Sequence, residues 1–173
     1  MNKILSFLIV FVFGYSLICA SPTVYGPSGL ITIPTAESVK YKEIDFALDY
    51  FAVDGTTDAY QYLYKANLGT FRGCELGVVG GSVPTEGVYL NIKYYLMSNN
   101  ERYPLSIAIG MENLASFYKT AIYMVASQRF QGGFIGHLGF KANFAEEELD
   151  PSLMGGIEYL LSNSISILGD FVG

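Results

Sequence analysis

An all-β antiparallel meander, wound up and down into an outer-membrane-type β-barrel or partial barrel of roughly 8–10 strands, is the fold class this sequence predicts. Three observations predict it. The apolar residues recur with period two from Glu43 onward, with turn residues at short intervals. Several alternating stretches approach the roughly 9–11 residues that a tilted membrane strand needs, beyond the five or six of an average soluble strand. The connections alternate between longer polar ones (Asp54–Ala59, Val83–Gly87, Ala145–Leu153) and short ones (Thr70–Gly73, Leu161–Asn163), as short turns facing longer outer loops would give. Ser98–Pro104 is long where that rhythm calls for a short turn. A soluble β-sandwich is the alternative, because alternation alone suits both folds.

The elements follow in order. Lys3, the apolar run Ile4–Ile18 and the small residues Cys19-Ala20-Ser21 read as a signal peptide over residues 1–20. Cys19 raises lipidation, which the bulky Ile18 before it disfavours. Residues 21–42 form an N-terminal lid or edge segment, and 43–173 the barrel domain. Nine strands are expected there. Ile44-Phe46-Leu48-Tyr50 open the series, followed by Tyr60–Leu68, Glu75–Val78, Val88–Leu96 and Leu105–Met111. Tyr118–Met124, His137–Phe144, Ile157–Tyr159 and Ser164–Phe171 complete it.

Composition agrees. Hydrophobic residues make up 51% and charged residues only 15% of the 173, against about 25% charged in an average soluble domain. Mean hydropathy is +0.33, yet after residue 20 no apolar run approaches the roughly 20 residues of a membrane helix. With the leader removed, Lys3 leaves with it. The ten Lys+Arg become nine against sixteen Asp+Glu, and the formal charge goes from −6 to −7. An acidic chain repels phosphate backbones, so nucleic acid is not an expected partner. Only Cys74 then remains, so no internal disulfide forms.

The polar face of the strands carries the candidate site. Asp45, Asp49, Lys65, Glu75, Lys93, Lys119, His137, Lys141 and Glu158 are expected to line a lumen as a polar network, with opposite charges paired across neighbouring strands. Asp170 shares that face. Gly77, Gly110 and Gly139 leave room on it. Ile92, Ile107, Ile122 and Phe140 belong to the opposite, lipid-facing side.

Other chemistry is thin. His137 is the only histidine, which excludes a multi-histidine metal site. A lumen hydrogen-bonding role for it is expected over a catalytic one. Glu146-Glu147-Glu148 with Asp150 reads as a solvated acidic loop rather than a calcium site. No cofactor box is present, and no enzyme activity is expected.

One stretch stands apart. Gly26-Pro27-Ser28-Gly29 is followed by Leu30-Ile31-Thr32-Ile33-Pro34-Thr35-Ala36. In that stretch Gly29-Leu30-Ile31, then Pro34-Thr35-Ala36, then the acidic and aromatic strand Glu43–Tyr50 resemble, in order and spacing, the start of YjbH-like proteins. The resemblance spans Gly26 to Tyr50; beyond it only the general pattern agrees. It implies an outer-membrane β-barrel linked to exopolysaccharide production and export. The expected function is therefore a structural or transport-associated barrel in the outer membrane of a Gram-negative-type bacterium. Its partners would be outer-membrane lipid, envelope polysaccharide or its export machinery, and further copies of itself. A secreted or periplasmic soluble β-sandwich binding protein is the alternative. Because Pro34 cannot donate to a ladder, Leu30–Ile33 is expected to fold into the lumen or against the barrel base as a short lid, or to lie as an edge strand.

Overall fold

The computed structural model describes residues 21–52, 60–71, 73–82, 87–97, 104–114, 116, 120–145, 148–162 and 165–173. The expected leader (1–20) and Lys119 lie outside the described residues. Nine strands run in sequence order through one antiparallel sheet and curl into a half-barrel. They are β1 (Ile44–Ala52), β2 (Tyr60–Phe71), β3 (Cys74–Gly81), β4 (Tyr89–Met97), β5 (Leu105–Glu112), β6 (Thr120–Arg129), β7 (Phe134–Ala145), β8 (Glu148–Ser162) and β9 (Ile165–Val172). The one helical element among the described residues is a single 3-10 turn, Gln131–Gly133.

All nine strands belong to one sheet, so the two-sheet sandwich is not what forms. The alternation explains this. A sandwich hides its apolar face against a second sheet, whereas here that face is convex and open. Phe46, Leu48, Ile122, Phe140, Ile157 and Ile167 on it are each between 42% and 63% exposed. The concave face carries the buried residues. Bulges in the β2–β3, β4–β5 and β8–β9 pairings add local bend and twist.

One expected connection is absent. Ala145–Leu153 is not a long loop: β7 and β8 stay paired to Ala145↔Glu148, with Pro151 opposite Ala142 inside β8. Pro151 reads as a strand breaker in sequence, but its position removes the conflict. Leu153 exchanges both backbone bonds with Gly173, so its N–H points toward β9. The backbone of Pro151, two residues earlier, points the same way, at a level past the last β9 pairing, where no ladder bond is lost. Glu148 and Asp150 of the acidic run are therefore strand residues, and Glu146 and Glu147 lie outside the described residues. The tight β2–β3 turn matches expectation, with Phe71 opposite Cys74 and Gly73 at φ +79°.

Residues 21–42 do not join the sheet as an edge strand. Three prolines (Pro22, Pro27, Pro34) withhold ladder donors from this segment. Its bridges are Pro22↔Ser28 and Gly29↔Pro34 within itself, plus Tyr41↔Gly69 where it meets β2. It lies on the concave face as a plug. The core sits between plug and sheet: Leu30, Ile33 and Ala36 against Ala108, Tyr123, Val125 and Met154.

Candidate functional site: the plugged concave face

The stretch Gly26–Ala36 forms the centre of the plug. Leu30 N–H donates to the Ile33 carbonyl at 3.0 Å and Thr35 N–H to the Ser28 carbonyl at 3.3 Å, which folds Gly29–Pro34 into a small hairpin. Leu30, Ile33, Thr35 and Ala36 face inward and are buried, while Ile31 is 48% exposed. Gly26 adopts φ +111°, and a Cβ there would collide with Val79 and Asn91. Close approach to the sheet therefore demands glycine at this point.

The inward side chains of the sheet hold this path by its backbone. Lys65 Nζ donates to the Thr23 carbonyl at 2.8 Å, Asn67 Nδ2 to Gly26 at 2.8 Å and Asn91 Nδ2 to Tyr25 at 3.1 Å. Glu75 accepts from Ser28 N–H at 2.9 Å, the Ser28 hydroxyl at 2.6 Å and Val39 N–H at 2.9 Å. Lys93, opposite Glu75 in the β3–β4 register, pairs with it at 3.3 Å and donates to the Ser28 carbonyl at 2.9 Å. Lys93 also donates to the Ser28 hydroxyl and the Glu37 carbonyl. At the far side, one carboxylate oxygen of Asp170 accepts three consecutive N–H groups, from Ile31 (3.0 Å), Thr32 (2.6 Å) and Ile33 (3.0 Å).

The expected lumen residues thus resolve into separate pairs. Asp49 pairs with Lys65 across β1 and β2, and Glu75 with Lys93. Lys141 on β7 pairs with Glu112 on β5, and its ammonium also sits 4.6 Å from the centre of the Tyr25 ring. Asp45 lies opposite Asn67 and keeps one buried oxygen without a hydrogen-bond partner. Glu158 lies toward β9, hydrogen-bonded by the Ser166 hydroxyl and close to Arg129 and Glu37. Arg129 and Glu37 form an exposed pair at 3.7 Å.

His137 is buried beneath the plug. Its Nδ1 lies 2.8 Å from the Ser127 hydroxyl, which in turn accepts Ala36 N–H at 2.9 Å. The donor in the Ser127–His137 bond follows from the ring tautomer, and the other ring nitrogen, Nε2, is a buried atom with no hydrogen-bond partner. This pair orients a plug amide and is closed off from solvent. Cys74 is half-buried at the start of β3. Among the described residues, no three His, Cys, Asp or Glu side chains group as metal ligands would.

Sequence reasoning missed Ser28, Asn67, Asn91, Glu112 and Ser127 as site residues. Four of the five occupy inward positions that strand parity marks; Ser28 does not, since the plug has no period.

On the convex side, a shallow apolar groove of about 520 Å³ runs from β4 to β7, lined by Ile92, Ile109, Ile122, Met124, Phe140 and Ala142. No helix of the described residues is long and apolar enough to cross a membrane, which says nothing of strands. Compared with known proteins, the chain matches no family model, no curated protein and no solved structure.

Proposed function

We propose that this chain is a structural or transport-associated β-barrel element of the bacterial outer membrane, acting in envelope biogenesis of the exopolysaccharide-linked, YjbH-like kind. One observation carries the membrane reading: the two faces are dressed in reverse. Lys65, Lys93, Glu75 and Glu112 on the concave face are at most 2% exposed, while the convex face offers leucine, isoleucine and aromatic side chains. Water would favour the opposite arrangement, and lipid favours this one. The YjbH-like stretch, now seen as the centre of the plug, supports the family reading. The polar concave face supports a lumen through which an envelope polysaccharide could be handled, and no catalytic role is proposed.

Arginine at Phe140 tests this. In lipid, Phe140→Arg lowers the unfolding free energy of the refolded chain by about 2–4 kcal/mol. At a water-facing site it stays within about 0.5 kcal/mol. Urea titration in liposomes reads the difference. Recovery of the wild-type chain in outer-membrane fractions, with a heat-modifiable gel mobility, is the companion measurement.

A further inference from the structure

The half-barrel has two open edges, and their backbones are complementary. Among the described residues, β1 pairs only with β2 and β9 only with β8. The edge-facing groups follow from the ladder bonds. Glu43 C=O accepts from Gly69 on β2, so Asp45, Ala47 and Asp49 also turn their backbones to β2. Ile44, Phe46 and Leu48 turn theirs to the open side. Gly173 N–H donates to Leu153 on β8, so Leu168, Asp170 and Val172 turn theirs to the open side.

Side chains complete the match. The open-side residues of β1 point outward, with Ile44 72%, Phe46 55% and Leu48 63% exposed. The open-side residues of β9 point inward, Asp170 onto the plug. In a parallel pair each edge-facing residue lies level with a partner residue whose backbone faces away, both side chains on one face. Phe46 would then lie level with an outward residue such as Ile167, and the apolar belt would continue across the seam. Antiparallel pairing of β1 with β9 would put an outward residue opposite an inward one. Parallel is also the direction that an odd strand number imposes, since β1 and β9 run the same way.

We infer that two copies of this chain close one ring, β1 of each pairing in parallel with β9 of the other. Two half-barrels of nine strands make an even, eighteen-stranded barrel. The two-fold axis runs along the barrel, so both copies keep one orientation across the membrane. Pairing β1 with β1 and β9 with β9 would also close a ring, but it would invert one copy across the membrane. The drive rests on the membrane reading above: in lipid, unpaired edge N–H and C=O groups find no water. The plug joins the closure, because Val24 (37% exposed) and Ile31 (48% exposed) would face the partner's half of the lumen.

Cysteine cross-linking tests the seam. In a chain carrying Cys19→Ala and Cys74→Ala, Phe46→Cys is combined in turn with Ile165→Cys, Ile167→Cys and Gly169→Cys. Oxidation in isolated membranes should give a disulfide-linked dimer at one of these registers, and native mass spectrometry from mild detergent a mass of two copies. None of the four single-site variants should cross-link. Leu168→Pro, which removes an edge-facing N–H and no existing ladder bond, should reduce the dimer to the single-variant level while the chain stays membrane-bound. A one-copy mass, a dimer from Phe46→Cys alone, a ladder beyond two copies, or two copies with none of the three cross-links overturns the proposal. A cross-linked dimer found in the soluble fraction would instead overturn the membrane reading and leave the seam standing.

Discussion

The plug rests on two different floors. Under Thr23–Ser28 and Val39, strands β2–β4 offer Lys65, Asn67, Glu75, Asn91 and Lys93, all at most 3% exposed, and each bonds a plug backbone group. Under Leu30–Ala36, strands β5–β8 offer Ala108, Tyr123, Val125 and Met154, which meet the plug by apolar contact. Apolar burial is favourable but has no direction. Hydrogen bonds to buried charges are directional, and leaving one unmade is costly. The second floor supplies adhesion, while direction comes from the first floor and, beyond the second, from the Asp170 carboxylate that holds Ile31–Ile33.

The strongest way to break this contrast is Lys93→Ala. It leaves Glu75 a buried carboxylate without its cation, held only by Ser28 and Val39, and should cost about 3–5 kcal/mol, read by urea unfolding of the refolded chain. Combining it as Lys93→Met with Glu75→Gln should recover part of that loss. Next comes Ser127→Ala, which removes the one directional contact described between the apolar floor and a plug amide. Ala36 N–H is then left buried without its acceptor, at about 1–3 kcal/mol, and its hydrogen exchange should accelerate. The smallest effect is Ile33→Val, at the fully buried Ile33 of the plug hairpin, at about 1 kcal/mol, read as a lowered Tm. A loss from Lys93→Ala no larger than that from Ile33→Val would erase the distinction between the floors.

Period-two alternation made the sheet legible, because parity sorts residues onto two faces without knowledge of register. All nine strands and the outward placement of Ile92, Ile107, Ile122 and Phe140 follow from it. Glu112 was missed because its strand was read only to Met111; one further step along Ser106, Ala108 and Gly110 reaches it. Ser127 was missed in the same way, since β6 runs on past Met124 to Arg129. The β7–β8 connection was misread because Pro151 signals a break unless the direction of its missing N–H is known, and that requires the neighbouring strand. The plug contacts were illegible for a deeper reason. They are made to carbonyls and amides that every residue carries, so the sequence of the plug holds no sign of its partners. Only its prolines and glycines, which set the path, show that the path matters.

That long reach has a kinetic consequence. Every strand pairs with its neighbour in sequence, so the sheet can grow hairpin by hairpin, each closure joining residues close along the chain. The plug is different: Asp170 grips Thr32 across 138 residues, and Ser127 grips Ala36 across 91. Loop closure of that span brings no return until the distant strands exist. The segment synthesised ahead of the sheet is therefore the last to be locked, and the ammonium and carboxylate groups beneath it stay hydrated until then. Folding would end with the drying of its own interior.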